Sequence, residues 1–335
     1  MPDTDPARDL LARAALEHLP HLLMQQDRNP ASPTYGCFDR AYWHYRILDF
    51  PCGMSQEFVL PLALAWALPM PGNRWHGEPA VRDWVEAGIR YAARSAHADG
   101  SCDDYYPYER AAGAAAFSLF ACLEAAAIIG LEGDAEVEAF FDKRAGWLAH
   151  HRESGRLSNH EALIIASLAR MSLRAPERWN PALAERVARI ASWQSEEGWF
   201  DEYGGADPGY LTLTIGMLAD ADAIRPDLNL RPMIDRAVRF LAAVIHPDGT
   251  LGGEYSSRAT VNFFPHGLEM VGARGPLALA VADRGYLRFA NGAAPSHADD
   301  RIVGHHVWSR MLAWRAWQAE RPGPLPLAPG PSDFE

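Results

Sequence analysis

Apolar residues recur along this chain at helical spacing. Val81, Trp84, Val85 and Ile89 fall at i, i+3, i+4 and i+8 behind a Glu78-Pro79 start that suits a first helical turn. Asp134 precedes a stripe of Val137, Phe140, Phe141 and Trp147, and the spacing predicts it as an N-cap. Trp308, Met311, Leu312 and Trp317 mark a final helix. No stretch sustains period-2 alternation, so few strands are expected and the chain reads as all-α. The apolar runs near residues 58–70 and 111–131 are interrupted by Pro61 and Pro69 and by Glu124, and neither reads as a membrane span.

A degenerate repeat overlies the periodicity. Ala98-Asp99-Gly100-Ser101 leads through a Tyr/Asp-rich loop to the helix at 111–129. Glu197-Gly198-Trp199 leads through Gly204-Gly205 to Pro208-Gly209-Tyr210 and the helix at 211–221. Pro247-Asp248-Gly249-Thr250 leads through Gly252-Gly253 to Pro265-His266-Gly267, and Gly155 to His160 plays the same part without Asp-Gly. Units of this length hold one helical hairpin each. Five or six such hairpins make an (α/α) toroid, an incomplete barrel whose inner helices aim their N-terminal loops at one face. An open solenoid would lack that convergence. A single toroid domain is expected over residues 1–320, followed by a Pro-rich tail at 321–335.

Composition narrows the partners. The 335 residues carry a formal net charge of −12, and Lys143 is the only lysine among the basic residues. An acidic balance argues against nucleic acid or an anionic membrane surface. Cys37, Cys52, Cys102 and Cys122 show neither C-x-x-C nor His-paired zinc spacing, and His305-His306 has no carboxylate at ligand spacing. Free thiols, no metal and no cofactor are expected. The acidic N-terminus leads into an amphipathic helix rather than an apolar signal core, which gives a cytoplasmic expectation.

The loops carry more polar and aromatic residues than turns need. Residues 35–46 include Arg40, Trp43, His44 and Arg46, a set suited to an anionic sugar, since aromatic rings supply stacking area and Arg grips a carboxylate at two points. The loop at 103–110 offers Asp104 and Tyr105 as ligand contacts, with Glu109 expected in the first turn of the next helix. Glu202 precedes Tyr210, which opens an inner helix. Tyr255, Arg258 and His266 form a further group. Arg258 is the carboxylate clamp of choice, and His266, between Pro and Gly, is expected in a pocket rather than on a helix face. Asn159-His160 puts an amide and an imidazole at a helix N-terminus, where proton abstraction beside a carboxylate can be served.

Asn159-His160 before an inner helix, and Glu202 followed by Pro208-Gly209-Tyr210, resemble two motifs of the heparinase II/III and alginate-lyase group of polysaccharide lyases. The resemblance spans roughly residues 90–270. It implies that Asn159 neutralises a uronate carboxylate, that His160 and either Tyr210 or Tyr255 transfer protons in β-elimination, and that Arg258 orients the carboxylate. Members of that group are usually exported, many carry a C-terminal β-sandwich, and a small residue usually stands where Glu161 follows His160 here. These departures shift the expectation from long extracellular polymers to a short or lipid-linked acidic saccharide. Uronyl C5-epimerisation begins with the same proton abstraction. Terpene cyclases and prenyltransferases of toroid type, and non-catalytic glycan binders, are the alternatives from other classes.

Overall fold

A computed structural model describes residues 5–251, 262–290 and 301–325. Fourteen α-helices occur among them. In chain order they are α1 (Pro6–Leu16), α2 (Leu19–Gln25), α3 (Arg40–Trp43), α4 (Val59–Ala67), α5 (Pro79–Ser95), α6 (Ala112–Ile129) and α7 (Ala135–His150). Then follow α8 (Ser158–Arg174), α9 (Pro176–Ala191), α10 (Pro208–Ile224), α11 (Arg231–Val244), α12 (His266–Gly272), α13 (Pro276–Ala290) and α14 (Val303–Ala316). A two-residue hairpin, Asp201–Glu202 with Gly205–Ala206, is the only named sheet among the described residues.

Six helices form an inner ring in the order α4, α6, α8, α10, α12, α14, and α14 returns to pack against α4. The ring therefore closes on itself, with six inner helices from the five to six hairpins expected. The fold is an (α/α) toroid. Helices α1, α5, α7, α9, α11 and α13 lie outside it, each against one or two inner helices. Burial sorts the two layers as amphipathicity demands. In α6, 15 of 18 residues are buried, whereas outer α9 buries only Trp179, Leu183, Arg186 and Ile190. Helix α6 has the length and apolarity of a membrane span, and its apolar window is 83% buried inside this fold.

The repeat seen in sequence has a physical basis. Gly100, Gly198 and Gly249 adopt left-handed φ of +95°, +109° and +86°. Each lies against a main-chain carbonyl of an outer helix, at Lys143, Arg236 and Arg284, where a Cβ would collide. In the unit at 155–160, which has no left-handed glycine, buried Arg186 of α9 ties the turn to the outer layer. Its guanidinium donates to the carbonyls of Leu148 and His151 and pairs with Glu161 at 2.7 Å. Asp134 caps α7 as its position predicted, accepting from the N–H groups of Glu136 and Val137. At the far end, Arg321 bonds both Glu269 oxygens and Asp283, which draws the start of the Pro-rich tail onto α12 and α13.

Candidate active site

The inner helices α6, α8, α10 and α14 bring their N-termini to one mouth of the ring. A cleft of about 500 Å³ opens there, within the range of small-ligand sites. Asn159 and His160 of α8, Tyr210 of α10, His305 of α14 and Phe117 of α6 line it, together with Asp104, Tyr105, His151, Arg152, Glu153 and Tyr203. Ring placement explains the convergence: Asn159, His160, Tyr210 and His305 each lie in the first turn of an inner helix.

Asn159 is fixed from behind. Buried Glu202 accepts from Ser158 Oγ at 2.7 Å, from the Asn159 backbone N–H at 2.9 Å and from Asn159 Nδ2 at 2.8 Å. These donors settle which end of the amide faces the carboxylate, because Oδ1 in that place would meet an oxygen. Burial pushes the Glu202 carboxyl up, and the Ser158 hydroxyl, the Asn159 donors and nearby His160 oppose that push. Glu202, expected to bind substrate, does not line the cleft. It caps α8 from the loop of the next unit and orients Asn159.

The same device recurs on α14. Glu57, in the 3₁₀ turn Met54–Phe58 just before α4, is fully buried. It accepts from His305 N at 3.1 Å, His305 Nδ1 at 2.8 Å and Trp308 Nε1 at 3.0 Å. In both cases a carboxylate from one unit satisfies first-turn donors of the neighbouring inner helix.

His160 lies over Gly113 of α6, where a Cβ would overlap its ring. Its Nδ1 is 3.0 Å from Glu153 Oε2, and Phe117 meets the ring edge-on with centroids 6.2 Å apart. Burial opposes charge on His160, but Glu153, with the Glu202 and Asp104 carboxylates behind it, outweighs that and the imidazole pKa is raised. Glu153 responds in kind: burial would raise its pKa, and His160 brings it below the ordinary carboxylate value. A proton on Nδ1 shared with Glu153 leaves Nε2 as the nitrogen for proton exchange. This is the arrangement by which a carboxylate orients a histidine base and steadies its imidazolium.

Other expected site residues scatter. Asp104 and Tyr105 line the cleft. Asp104 accepts from the Cys52 thiol at 3.1 Å and lies 3.3 Å from Arg301 Nη1, while burial raises its pKa. Arg40, Trp43, His44 and Arg46 stand outside the lining. Arg40 donates to the Met24 carbonyl and Trp43 Nε1 to the Gln25 carbonyl at 2.7 Å, so these side chains tie α3 to α2. His266 requires a correction: it begins α12, is fully buried, and bonds the Ser309 hydroxyl at 2.8 Å. Gly216 of α10 leaves space for its ring, a partner fifty positions away that local sequence does not reveal. Glu109 also departs from expectation. It precedes α6 and accepts from the backbone N–H groups of Asp104, Tyr105 and Tyr106. Tyr255 and Arg258 lie outside the described residues. No group of three or more His, Cys, Asp or Glu suited to a metal occurs among the described residues.

Glu153, Arg152 and Tyr203 do not stand out in the sequence, and His305 does so only as half of a histidine pair weighed for metal. The usable signal is Glu153 in the turn just before Asn159-His160, one turn-length from the ring it holds.

No protein-family model matches the sequence, and no curated protein does. Solved structures share the fold at low identity. A polysaccharide lyase superposes with a TM-score of 0.58 at 13% identity, covering 83% of this chain and 93% of its own. A Paenibacillus xanthan lyase gives 0.58 at 12% identity, over 92% of this chain and 31% of its own. The Scytonema type II terpene cyclase MstE, solved with merosterolic acid A as product, gives 0.54 at 13%, over 93% and 98%. The shared architecture is the toroid.

Proposed function

We propose that this protein acts on a uronate-containing saccharide and removes the C5 proton in a lyase-type β-elimination. One observation carries the reading: Asn159, Tyr210 and a His160 backed by Glu153 line a single polar cleft at the N-terminal mouth of the ring. The lyase neighbours share the fold and lend the reading support.

Asn159 Nδ2 keeps one N–H beyond its bond to Glu202, and that donor neutralises the uronate carboxylate, which lowers the cost of forming a carbanion beside it. His160 Nε2 takes the C5 proton while Glu153 stabilises the resulting imidazolium. The C5–H electron pair forms the C4–C5 double bond, the C4–O bond breaks, and the Tyr210 hydroxyl protonates the leaving oxygen. The product set is an unsaturated uronate and a free hydroxyl end. Because the Glu153 carboxylate raises the His160 pKa, the base form grows in only above the ordinary histidine value, so the rate rises with pH beyond 6.5.

The cleft composition favours a sugar over a terpene. Phe117 is its one phenylalanine among the described lining residues and no tryptophan joins it, whereas His, Asp, Glu and Arg side chains abound. A polyprenyl chain would leave those charges desolvated without partners.

The test uses acidic oligosaccharides and follows ultraviolet absorbance of the new double bond. Asn159→Ala and Tyr210→Phe each abolish it. Solvent deuterium entering C5 without new absorbance would replace elimination by epimerisation. Undiminished saccharide affinity in an inert wild-type protein would reduce the cleft to a binding site.

A further inference from the structure

The loop at 103–110, between the turn at Gly100 and α6, is built to a standard its exposure does not explain. The Glu109 carboxylate accepts from the backbone N–H groups of Asp104 at 3.0 Å, Tyr105 at 2.8 Å and Tyr106 at 3.3 Å. The Asp103 carboxylate accepts from those of Tyr108 at 2.8 Å and Arg110 at 3.0 Å, and His97 Nε2 stands 3.0 Å away. Tyr108 and Arg110 are held at φ of +62° and +55°, a left-handed region that side chains other than glycine seldom occupy. Two carboxylates, each gathering several backbone donors, thus hold the whole loop in one shape.

What this loop presents is aromatic. Tyr105 is 50% exposed, Tyr106 69% and Tyr108 85%. The carboxylates that would repel an acidic ligand are engaged on backbone N–H groups, and Asp104 is engaged by Cys52 and Arg301. The Arg301 guanidinium lies 4.7 Å from the centroid of the Tyr105 ring, so that ring carries a cation on one face. Tyr105 also lines the cleft, which makes the loop continuous with it. Across the mouth, Tyr203 is likewise exposed and held at a φ of +56°.

We propose that residues 105–108 form a second saccharide subsite, where Tyr106 and Tyr108 stack on sugar rings that extend beyond the cleft. It rests on the reading of the cleft as a saccharide site. Rigid tyrosines suit this role, because they offer large amphipathic faces with few torsions to freeze on binding. The subsite recognises ring faces, while charge recognition stays in the cleft. Chain length is therefore the property it measures.

The experiment compares the wild-type protein with the Tyr106→Ala/Tyr108→Ala double variant. Binding of alginate, chondroitin sulphate and xanthan oligosaccharides, from disaccharide upward, is followed by calorimetry. The wild-type affinity climbs with length, and the double variant binds long chains about tenfold more weakly, the scale of two lost aromatic contacts. Disaccharide affinity is the same in both. Tyr106→Phe/Tyr108→Phe restores the length dependence, since rings rather than hydroxyls make the contact. Equal length dependence in wild type and the alanine variant overturns the subsite, as does a wild-type protein indifferent to length. Length-dependent binding without unsaturated product retains the subsite and removes the elimination.

Discussion

His160 and His266 each begin or nearly begin an inner helix, and each lies over a glycine of the preceding inner helix, Gly113 in one case and Gly216 in the other. The ring therefore offers both imidazoles the same kind of seat. Their surroundings then send them opposite ways. His160 faces Glu153 at 3.0 Å, and its pKa is raised. His266 is fully enclosed and bonds a neutral hydroxyl. Burial first, then the positive field of Arg315 and Arg170, pushes its pKa down to about 3. Asp220 stands 3.8 Å away, but Arg170 already holds that carboxylate. Repetition of a backbone seat thus fixes where a side chain goes, and the charges brought in by other units decide what it does there.

The largest effect separating the two concerns activity. His160→Ala should lower the rate on acidic saccharides by about 10²–10⁴, the usual scale for a lost acid–base group, with little change in denaturant midpoint above the pH at which folded His160 loses its proton. His266→Ala should do the reverse: full rate per folded molecule, and a stability loss of about 2–4 kcal/mol from the cavity left behind. An exchange of these outcomes would sink the distinction.

Next in size is Glu153→Gln. Without its carboxylate partner, His160 should titrate lower by NMR, and the rising limb of the pH–rate profile should move to lower pH with it. A lost unit of basicity corresponds to about tenfold in proton affinity, which sets the expected fall in rate. A profile that stays in place would show that His160 does not carry the proton.

Smaller still are the glycine seats. Gly216→Ala forces the enclosed His266 ring aside and should cost about 1–3 kcal/mol in denaturant unfolding. Gly113→Ala lets His160 swing into the cleft. The helix-propensity gain of about 1 kcal/mol then offsets the strain, so stability holds while the rate falls.

The last contrast is linkage, read as a slope against pH. His160, with a raised folded pKa, adds stability that is complete below the unfolded value near 6.5 and is lost as pH climbs through the folded value. His266 behaves oppositely. Between about 3 and 6.5 the unfolded chain takes a proton that the folded ring refuses, so stability falls as pH drops through that window by up to about 1.4 kcal/mol per unit. Chemical unfolding of His160→Gln and His266→Gln across pH 4–8 should remove one slope each.

Much of the toroid is legible in the sequence because it is written in local signals. Asp-Gly turns, an Asp134 cap and the contrast between one-sided and all-round apolar helices are properties of short windows. Asn159, His160 and Tyr210 are legible for the same reason, as first-turn residues behind marked turns. The rest depends on partners far away in sequence. Glu57 and His305 are 248 positions apart, and Gly216 and His266 meet only because adjacent inner helices pack. Glu202 stands out in the sequence but does not line the cleft, since a carboxylate facing inward looks identical in sequence to one facing a cavity. In the loop at 35–46, composition suggests a ligand, while Arg40 and Trp43 each donate to a carbonyl of the preceding helix.

The Glu57 contact has a consequence for how the chain is made. During synthesis this carboxylate leaves the ribosome 248 residues ahead of His305 and 251 ahead of Trp308, whose donors it serves. The turn that carries Glu57 must wait for α14, so ring closure follows the pairing of the helices between them. Such closure joins segments far apart in sequence, and pairings of that kind form more slowly than those between neighbouring helices. A nascent chain arrested before α14 would hold an acidic group prepared for a helix end that has yet to arrive.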